Sequence, residues 1–279
     1  MAVPVDDTSA FGRYAPGPVR RRVHAAMNEI YKAGWAGRRL FGRLRWLERL
    51  CSSRTRDIVD VERFGLRWRL YRRGNVADSR LLLRPDAFEP VEIKSITDLA
   101  EPGFTFVDIG ANCGFYALRF ARAVGGEGRT IAIEPHPEMR RRLAYNAGLN
   151  SACPIRILGC AVGERPGNGK LLEGDRNLGE TRVSDEGSID VEIRTLLDIA
   201  GAEKLDRIDA LKVDVEGFED RVLEPFLRDA PERLLPRLIV AERLWSGAWE
   251  TDWLGRAADR GYRERARTRQ GNLILDRRR

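Results

Sequence analysis

Histidine is scarce in this chain, cysteine is unpatterned, and long apolar runs are missing. Only two histidines occur in 279 residues, His24 and His136, so chemistry that depends on an imidazole has few places to sit. The four cysteines, Cys51, Cys113, Cys153 and Cys160, form no CxxC pair and no framework spacing. They read as free thiols of a reducing cytoplasm. No run of about 18 apolar residues is present, which excludes a membrane-spanning helix. The opening MAVPVDDTSA has no basic start followed by an apolar core. A secretory signal is therefore not expected, and a cytoplasmic location is. Low-complexity tracts and internal repeats are also absent. What remains is a globular composition, 43% hydrophobic and 33% charged, long enough for one sizeable core or one core with an appendage.

The net charge of +7 is unevenly placed. Residues 11–50 carry ten basic and two acidic residues, so the remainder of the chain is close to neutral. A second basic patch runs from Arg260 to Arg279. A basic arm on a neutral body suggests an anionic partner, lipid or nucleic acid, unless the arginines form a solvated helix face.

Residues 1–18 lack periodicity and read as a loose tail. From Pro18 to Cys51 apolar residues recur at helical spacing: Val23, Met27, Ile30, Tyr31 and Trp35, then Leu40, Phe41, Leu44, Leu47 and Leu50. Gly34 and Gly37 mark the expected break. Residues 57–83 alternate, and Arg73-Gly74-Asn75 reads as the turn of a β-hairpin. After Glu101-Pro102-Gly103 strands and helices alternate, from FTFVDIG to the closing pair GYRERAR and GNLILDR. This predicts a doubly wound α/β fold with a mostly parallel sheet and one antiparallel edge strand. Three segments follow: a basic helical arm over 1–56, a hairpin lead-in over 57–100, and the main domain over 101–279.

In open α/β sheets ligands bind beyond the carboxyl ends of the strands. The first strand here runs into Asp108-Ile109-Gly110-Ala111-Asn112-Cys113-Gly114, a glycine turn opening a helix. The second strand ends in Glu134, a carboxylate suited to a ribose diol. A dinucleotide or S-adenosyl-L-methionine would fit such a turn and acid. The glycine spacing is GxxxG rather than GxGxxG, and Asp108 would repel a pyrophosphate but attract a sulfonium and an ammonium. The pattern favours S-adenosyl-L-methionine; otherwise Asp108 is only a cap.

FVDIGANCGFYAL, IAIEPHPEMRRRLAYNAGLN and DALKVDVEGFEDRVLEPF together resemble the FkbM family of methyltransferases. CAVGERPG, IRTLLDIA and PRLIVAERLW extend the likeness over about residues 57–276. The resemblance implies a Rossmann-like class I methyltransferase sheet of seven strands, preceded by the helical arm and hairpin. It implies that Asp108, Gly110, Ala111, Asn112 and Gly114 line the methionine end, Glu134 holds the ribose, and Cys160 and Ala161 border the adenine. It also implies O-methylation of a hydroxyl on a sugar, polysaccharide or secondary metabolite. AERLWSGAW departs from the family pattern after the fifth strand, where the acceptor would sit.

A hydroxyl acceptor must lose a proton, and a base helps. His24 lies in the arm, and His136 reads as a capping residue. The candidates are therefore Lys212, Asp214, Glu216 and Glu242. The first three alternate by two and would share one face of a strand. An ion pair of Lys212 with Asp214 or Glu216 is the structural alternative, and Glu219 reads as an N-terminal helix charge. The carboxylates could also ligate a divalent ion, though no spacing requires one. A nucleic-acid methyltransferase is disfavoured. The chain has no Asn/Asp-Pro-Pro-Tyr motif and no Pro-Cys nucleophile, Cys153-Pro154 being the reverse order. A non-catalytic adaptor is the remaining alternative. The expected partners are a hydroxylated small molecule or glycan and, through the arm, an anionic membrane on its inner face.

Overall fold

The computed structural model describes residues 4–50, 57–174, 177–244 and 246–277, without the side chains of 46–50. Cys51, the side chains of Leu47 and Leu50, Trp245 and the last two arginines of the basic tail lie outside the described residues.

The arm forms two helices, α1 (Pro18–Lys32) and α2 (Gly34–Leu50). Met27 and Phe41 are buried in the core beneath them, and Tyr31 packs edge-on against Phe41 at 5.1 Å. The hairpin is β1 (Ile58–Arg63) and β2 (Leu66–Tyr71). Its turn falls at Phe64-Gly65, where both residues have positive φ, and not at Arg73-Gly74-Asn75. That second turn instead opens α3 (Val76–Leu83), with the Asn75 side chain accepting from the Ala77 N–H at 3.1 Å. An asparagine directly before a helix-forming segment is an N-cap signal, and it outranks the apparent alternation. α4 (Pro90–Thr97) completes the lead-in.

The expected loose tail is tied down. Buried Arg69 donates to the carbonyls of Asp6 (3.0 Å), Ser9 (2.9 Å) and Ala10 (2.9 Å). Asp60 accepts from the Gly12 N–H at 2.8 Å. A long-range guanidinium overrides the local absence of periodicity.

The main domain follows as β3 (Thr105–Ile109), α5 (Phe115–Ala123), β4 (Arg129–Ile133), α6 (Pro137–Gly148) and β5 (Arg156–Leu158). Next come β6 (Ala161–Val162), β7 (Gly167–Leu172), β8 (Arg182–Val183), β9 (Ile189–Arg194) and α7 (Leu196–Ala202). Then follow β10 (Ala210–Val213), α8 (Glu219–Asp229), β11 (Leu238–Glu242), α9 (Trp253–Asp259), β12 (Tyr262–Arg267) and β13 (Asn272–Arg277). The large sheet has seven strands in the order β12-β13-β11-β10-β3-β4-β5. Only β13 runs opposite to the other six strands of this sheet, and it lies second from the edge rather than at it. Val107, Ile109, Leu211, Val213 and Ile239 face one core; Phe106, Ala210, Leu238 and Val240 face the other. Both faces are covered, so these strands read as continuous apolar runs.

PIRILGCAV does not form a single strand. It divides between β5 and β6, and β6 belongs to a separate four-stranded sheet, β6-β9-β7-β8. The chain runs from β3 outward to β5, then returns to β10 on the other side of β3. Strand order reverses between β3 and β10, which opens a crevice at their carboxyl ends.

Candidate functional site

The glycine turn is shaped by what it touches. Gly110 has φ of +77°, and a Cβ there would lie 1.9 Å from the Asp214 carbonyl oxygen. Only glycine lets the turn pass against β10. The N–H groups of Gly110 and Ala111 both donate to the Ile133 carbonyl at 3.0 Å, tying the turn to β4. Asn112, at φ of +52°, donates its N–H to Glu134 Oε2 at 2.8 Å, and His136 donates its N–H to Oε1 at 2.9 Å. Glu134 is thus held by one backbone donor per oxygen, and each oxygen keeps acceptor capacity for a ribose hydroxyl. Burial pushes its carboxyl up to about 7, against the pull of those two N–H groups.

A cavity of about 270 Å³ lies over this turn. Gly110, Asn112, Glu134, Cys160, Ala161 and Asp214 line it, as do Val162, Leu171, Leu178, Val183 and Ile193. The polar groups stand at the turn and at β10; the apolar wall comes from β6, β7, β8 and β9. A ligand with a polar amino-acid end, a ribose and a flat base matches that order. S-adenosyl-L-methionine therefore fits the residues present.

Three of the expected cofactor residues do not line the cavity. Asp108 is fully buried behind the turn; its Oδ2 accepts from the Ala117 N–H at 3.1 Å, and its Oδ1 has no partner. Asp108 lies opposite Lys212 in the sheet register, and burial pushes its carboxyl up to about 6 against the pull of that lysine. The capping alternative describes it better than direct attraction of a ligand cation. Ala111 is buried in a small apolar cluster. Gly114 is a close-packing position: a Cβ would lie 2.6 Å from Leu143 Cδ1.

The charged edge is compact. Lys212 Nζ donates to Asp214 Oδ2 at 2.9 Å, so the structural ion pair is present. The lysine is 4% exposed and stands 4.9 Å from the Tyr116 ring centre. The carboxylates of Asp214, Asp108 and Glu89 hold its pKa above the usual lysine range despite burial. β10 ends at Val213, so strand alternation does not carry through to Glu216, which takes a left-handed turn at φ of +54°. Ligating oxygens of Asp214, Glu216 and Glu242 nonetheless lie within 4.8 Å of one another. Glu242 Oε2 is buried without a partner; burial and the Asp214 and Glu216 charges raise its pKa far above the carboxylate range. That shift favours the protonated form of Glu242 and makes it a poorer resting base than the more open Asp214. Glu216 lines a neighbouring cleft that shares Arg182, Phe218 and Arg221 with the cavity.

Glu219 does more than complement a helix dipole. Its Oε1 accepts from the N–H groups of Val215 (3.1 Å) and Gly217 (3.2 Å), and its Oε2 from Trp249 Nε1 (3.0 Å). It holds the turn that carries Glu216. His136 caps α6, its Nδ1 accepting from Met139 N–H at 3.3 Å, which leaves Nε2 to donate to Glu173 at 2.8 Å. Sequence reasoning missed the wall from β7 to β9; the alternation of IDVEIR was the available signal. It also missed Asn75, whose Nδ2 donates to Asn112 Oδ1 at 2.7 Å and braces the turn from the lead-in.

The Methyltransferase FkbM domain model matches residues 108–263, which is more than half of the chain. The methyltransferase sdnD of Sordaria araneosa is 31% identical over 42% of this chain; the match spans 58% of that protein. Among solved structures, a precorrin-6y C5,15-methyltransferase from Geobacter metallireducens covers 67% of this chain and 88% of its own, at 13% identity and a TM-score of 0.40. An S-adenosylmethionine-dependent methyltransferase from Aquifex aeolicus covers 71% and 90%, at 17% identity and 0.40. Likeness at that level says nothing about the acceptor. The family match falls on the turn, the acid and the edge that build the cavity, and the chain belongs to the FkbM methyltransferase family, with S-adenosyl-L-methionine as its cofactor.

Proposed function

We propose that this methyltransferase methylates a hydroxyl of a sugar, polysaccharide or secondary metabolite, with Asp214 as the base. The observation that carries the reading is the acidic edge: Asp214 lines the cofactor cavity, with Glu216 and Glu242 within reach of it. A hydroxyl needs a proton acceptor as it attacks, whereas an amine that is already neutral does not. The bound cofactor supplies a methyl group on a positively charged sulfur. Lys212 fixes one Asp214 oxygen by its hydrogen bond, leaving the other to take the acceptor's proton. Burial and the neighbouring carboxylates favour the protonated form of Glu242, which would lower the charge beside Asp214. Glu219 holds the adjoining turn, so Glu216 stays at the rim. Positioning of this kind contributes on the order of 7–11 kcal/mol to a bimolecular reaction.

The test is to incubate the protein with methyl-labelled cofactor and fractionated host extract. Label in a base-stable, O-linked methyl of a glycan or small metabolite is the expected result. Label in nucleic acid or on nitrogen would overturn the reading.

A peripheral membrane contact on the cytoplasmic face is proposed as well. The arm packs Met27 and Phe41 inward, yet Val19, Val23, Trp35 and Leu40 are exposed, at 75%, 41%, 68% and 47%. Exposed Arg21, Arg22, Arg38, Arg39 and Arg43 accompany them. Apolar side chains among arginines are the composition of an interfacial helix. No described helix is long and apolar enough to cross a membrane.

A further inference from the structure

Asn75 belongs to the lead-in, outside the segment that the family model matches, yet its side chain reaches the cofactor turn. It is 3% exposed. Backbone donors fix the orientation of both amides. Asn75 Oδ1 accepts from the Ala77 N–H at 3.1 Å, which turns its Nδ2 toward Asn112. Asn112 Oδ1 accepts from the Cys113 N–H at 2.8 Å and from Asn75 Nδ2 at 2.7 Å. A backbone N–H can only donate, so each amide has one orientation that satisfies its neighbours. Both lone pairs of the Asn112 oxygen are used, and its Nδ2 is left over.

That nitrogen stands at the cofactor cavity. Asn112 and Gly179 both line the cavity, and a Cβ on Gly179 would lie 2.7 Å from Asn112 Nδ2. Among the described residues Nδ2 makes no hydrogen bond. The neighbours of Asn75 bring Gly179 there. Leu178 N–H donates to the Gly74 carbonyl at 2.8 Å, and Val76 N–H donates to Asn177 Oδ1 at 3.1 Å. Gly74, Asn75 and Val76 thus hold the glycine turn on one side and the cavity wall on the other.

The methionine end of S-adenosyl-L-methionine carries an ammonium and a carboxylate. Glu134 and Asp214, which line the cavity, suit the ammonium and repel the carboxylate. An amide N–H suits the carboxylate. We propose that Asn75 is a positioning residue for the cofactor: it fixes the Asn112 amide so that Nδ2 is the donor for the cofactor's carboxylate. The inference rests on the cofactor alone and is independent of Asp214 and of the acceptor.

The test titrates the full chain calorimetrically with two ligands, S-adenosyl-L-methionine and its decarboxylated form, which keeps the sulfonium and the amine. The readout is the ratio of their affinities, in which a loss common to both cancels. The unaltered protein should prefer the carboxylated ligand. Asn112→Asp keeps the oxygen that Cys113 and Asn75 use and replaces only the donor. It should lower the ratio about tenfold or more, the effect of one lost charge-assisted contact. Asn75→Ser keeps a good helix cap but is too short to reach Asn112. It should lower the ratio about threefold, with the melting temperature of the free protein near wild type. Serine is chosen because Asn75 also bonds the buried Asp78 carboxyl, beside which an aspartate would be repelled. Asn75→Thr, a second capping residue, takes its place if the serine variant does not fold. An unchanged ratio in Asn112→Asp, or in the folded Asn75 variant, overturns the proposal. Equal weakening of both ligands overturns it too, since the asparagines would then only brace the turn. Arg182, which lines the cavity from β8, is the rival donor. If Arg182→Gln abolishes the preference and Asn112→Asp does not, the carboxylate lies with the arginine and the proposal falls.

Discussion

Two ion pairs, one in the hairpin and one beside the cavity, differ in what they leave unused. Arg69 and Asp60 in the hairpin are saturated. The arginine's five N–H groups meet five acceptors, two on Asp60 and three backbone carbonyls, and its plane lies 4.3 Å from the Tyr145 ring centre. Lys212 and Asp214 share one hydrogen bond, face an aromatic ring and border a cavity. Around them Asp108 Oδ1 and Glu242 Oε2 are buried without partners. Saturation marks the pair that holds the fold; in the reading proposed above, the pair with leftover capacity beside the cavity is the one that meets a ligand. Buried polar groups without partners are costly and persist where function needs them.

The largest expected effect falls on the saturated pair. Arg69→Met should cost about 3–5 kcal/mol, because it strands the buried Asp60 carboxylate and releases residues 6–10. Thermal or denaturant unfolding measures it. A loss under about 1 kcal/mol would place the pair with surface ion pairs and break the contrast.

Asp214→Asn should do the reverse. Turnover should fall about a hundredfold or more, with the melting temperature and cofactor affinity close to wild type. Unchanged turnover with the true acceptor would show that Asp214 is not the base.

Glu134 sharpens the comparison through pH. Ribose hydroxyls that donate to the carboxylate favour its charged form, and the free carboxyl sits at about 7. Cofactor affinity should be full above pH 7 and decline below it, by at most about tenfold per unit. Glu134→Gln should bind more weakly with a flat profile. A wild-type profile that is flat between pH 5.5 and 8.5 would remove the carboxylate from the ribose contact.

The smallest expected effect concerns the arm. Full-length protein should pellet with anionic vesicles at low salt, and Trp35→Ser with Leu40→Ser should reduce pelleting without unfolding the chain. Each basic residue near such a surface contributes about 1 kcal/mol, lost as salt shortens the screening length. Removing the whole arm is the wrong test, since Met27 and Phe41 belong to the core and residues 6–10 hold Arg69. If the intact chain ignores vesicles, the exposed stripe is not a membrane face.

Much of the architecture was legible in local pattern. Repeated β–α alternation specified a doubly wound sheet, because parallel strands covered on both faces must be apolar throughout. The glycine turn before α5 and the acid after β4 located the cavity, since that position in an open sheet is where backbone amides and strand ends converge. What the tertiary structure decided is who faces whom. Asp108 and Asp214 read alike in the chain, yet one is sealed behind the turn and the other lines the cavity. Glu219 became the brace of a neighbouring turn. Residues 4–17 look featureless, and a guanidinium more than fifty positions away orders them. Period and turn chemistry act between near neighbours, so a sequence can display them. Burial, hydrogen-bond saturation and the gathering of charge depend on contacts between distant segments, and those exist only once the chain has folded.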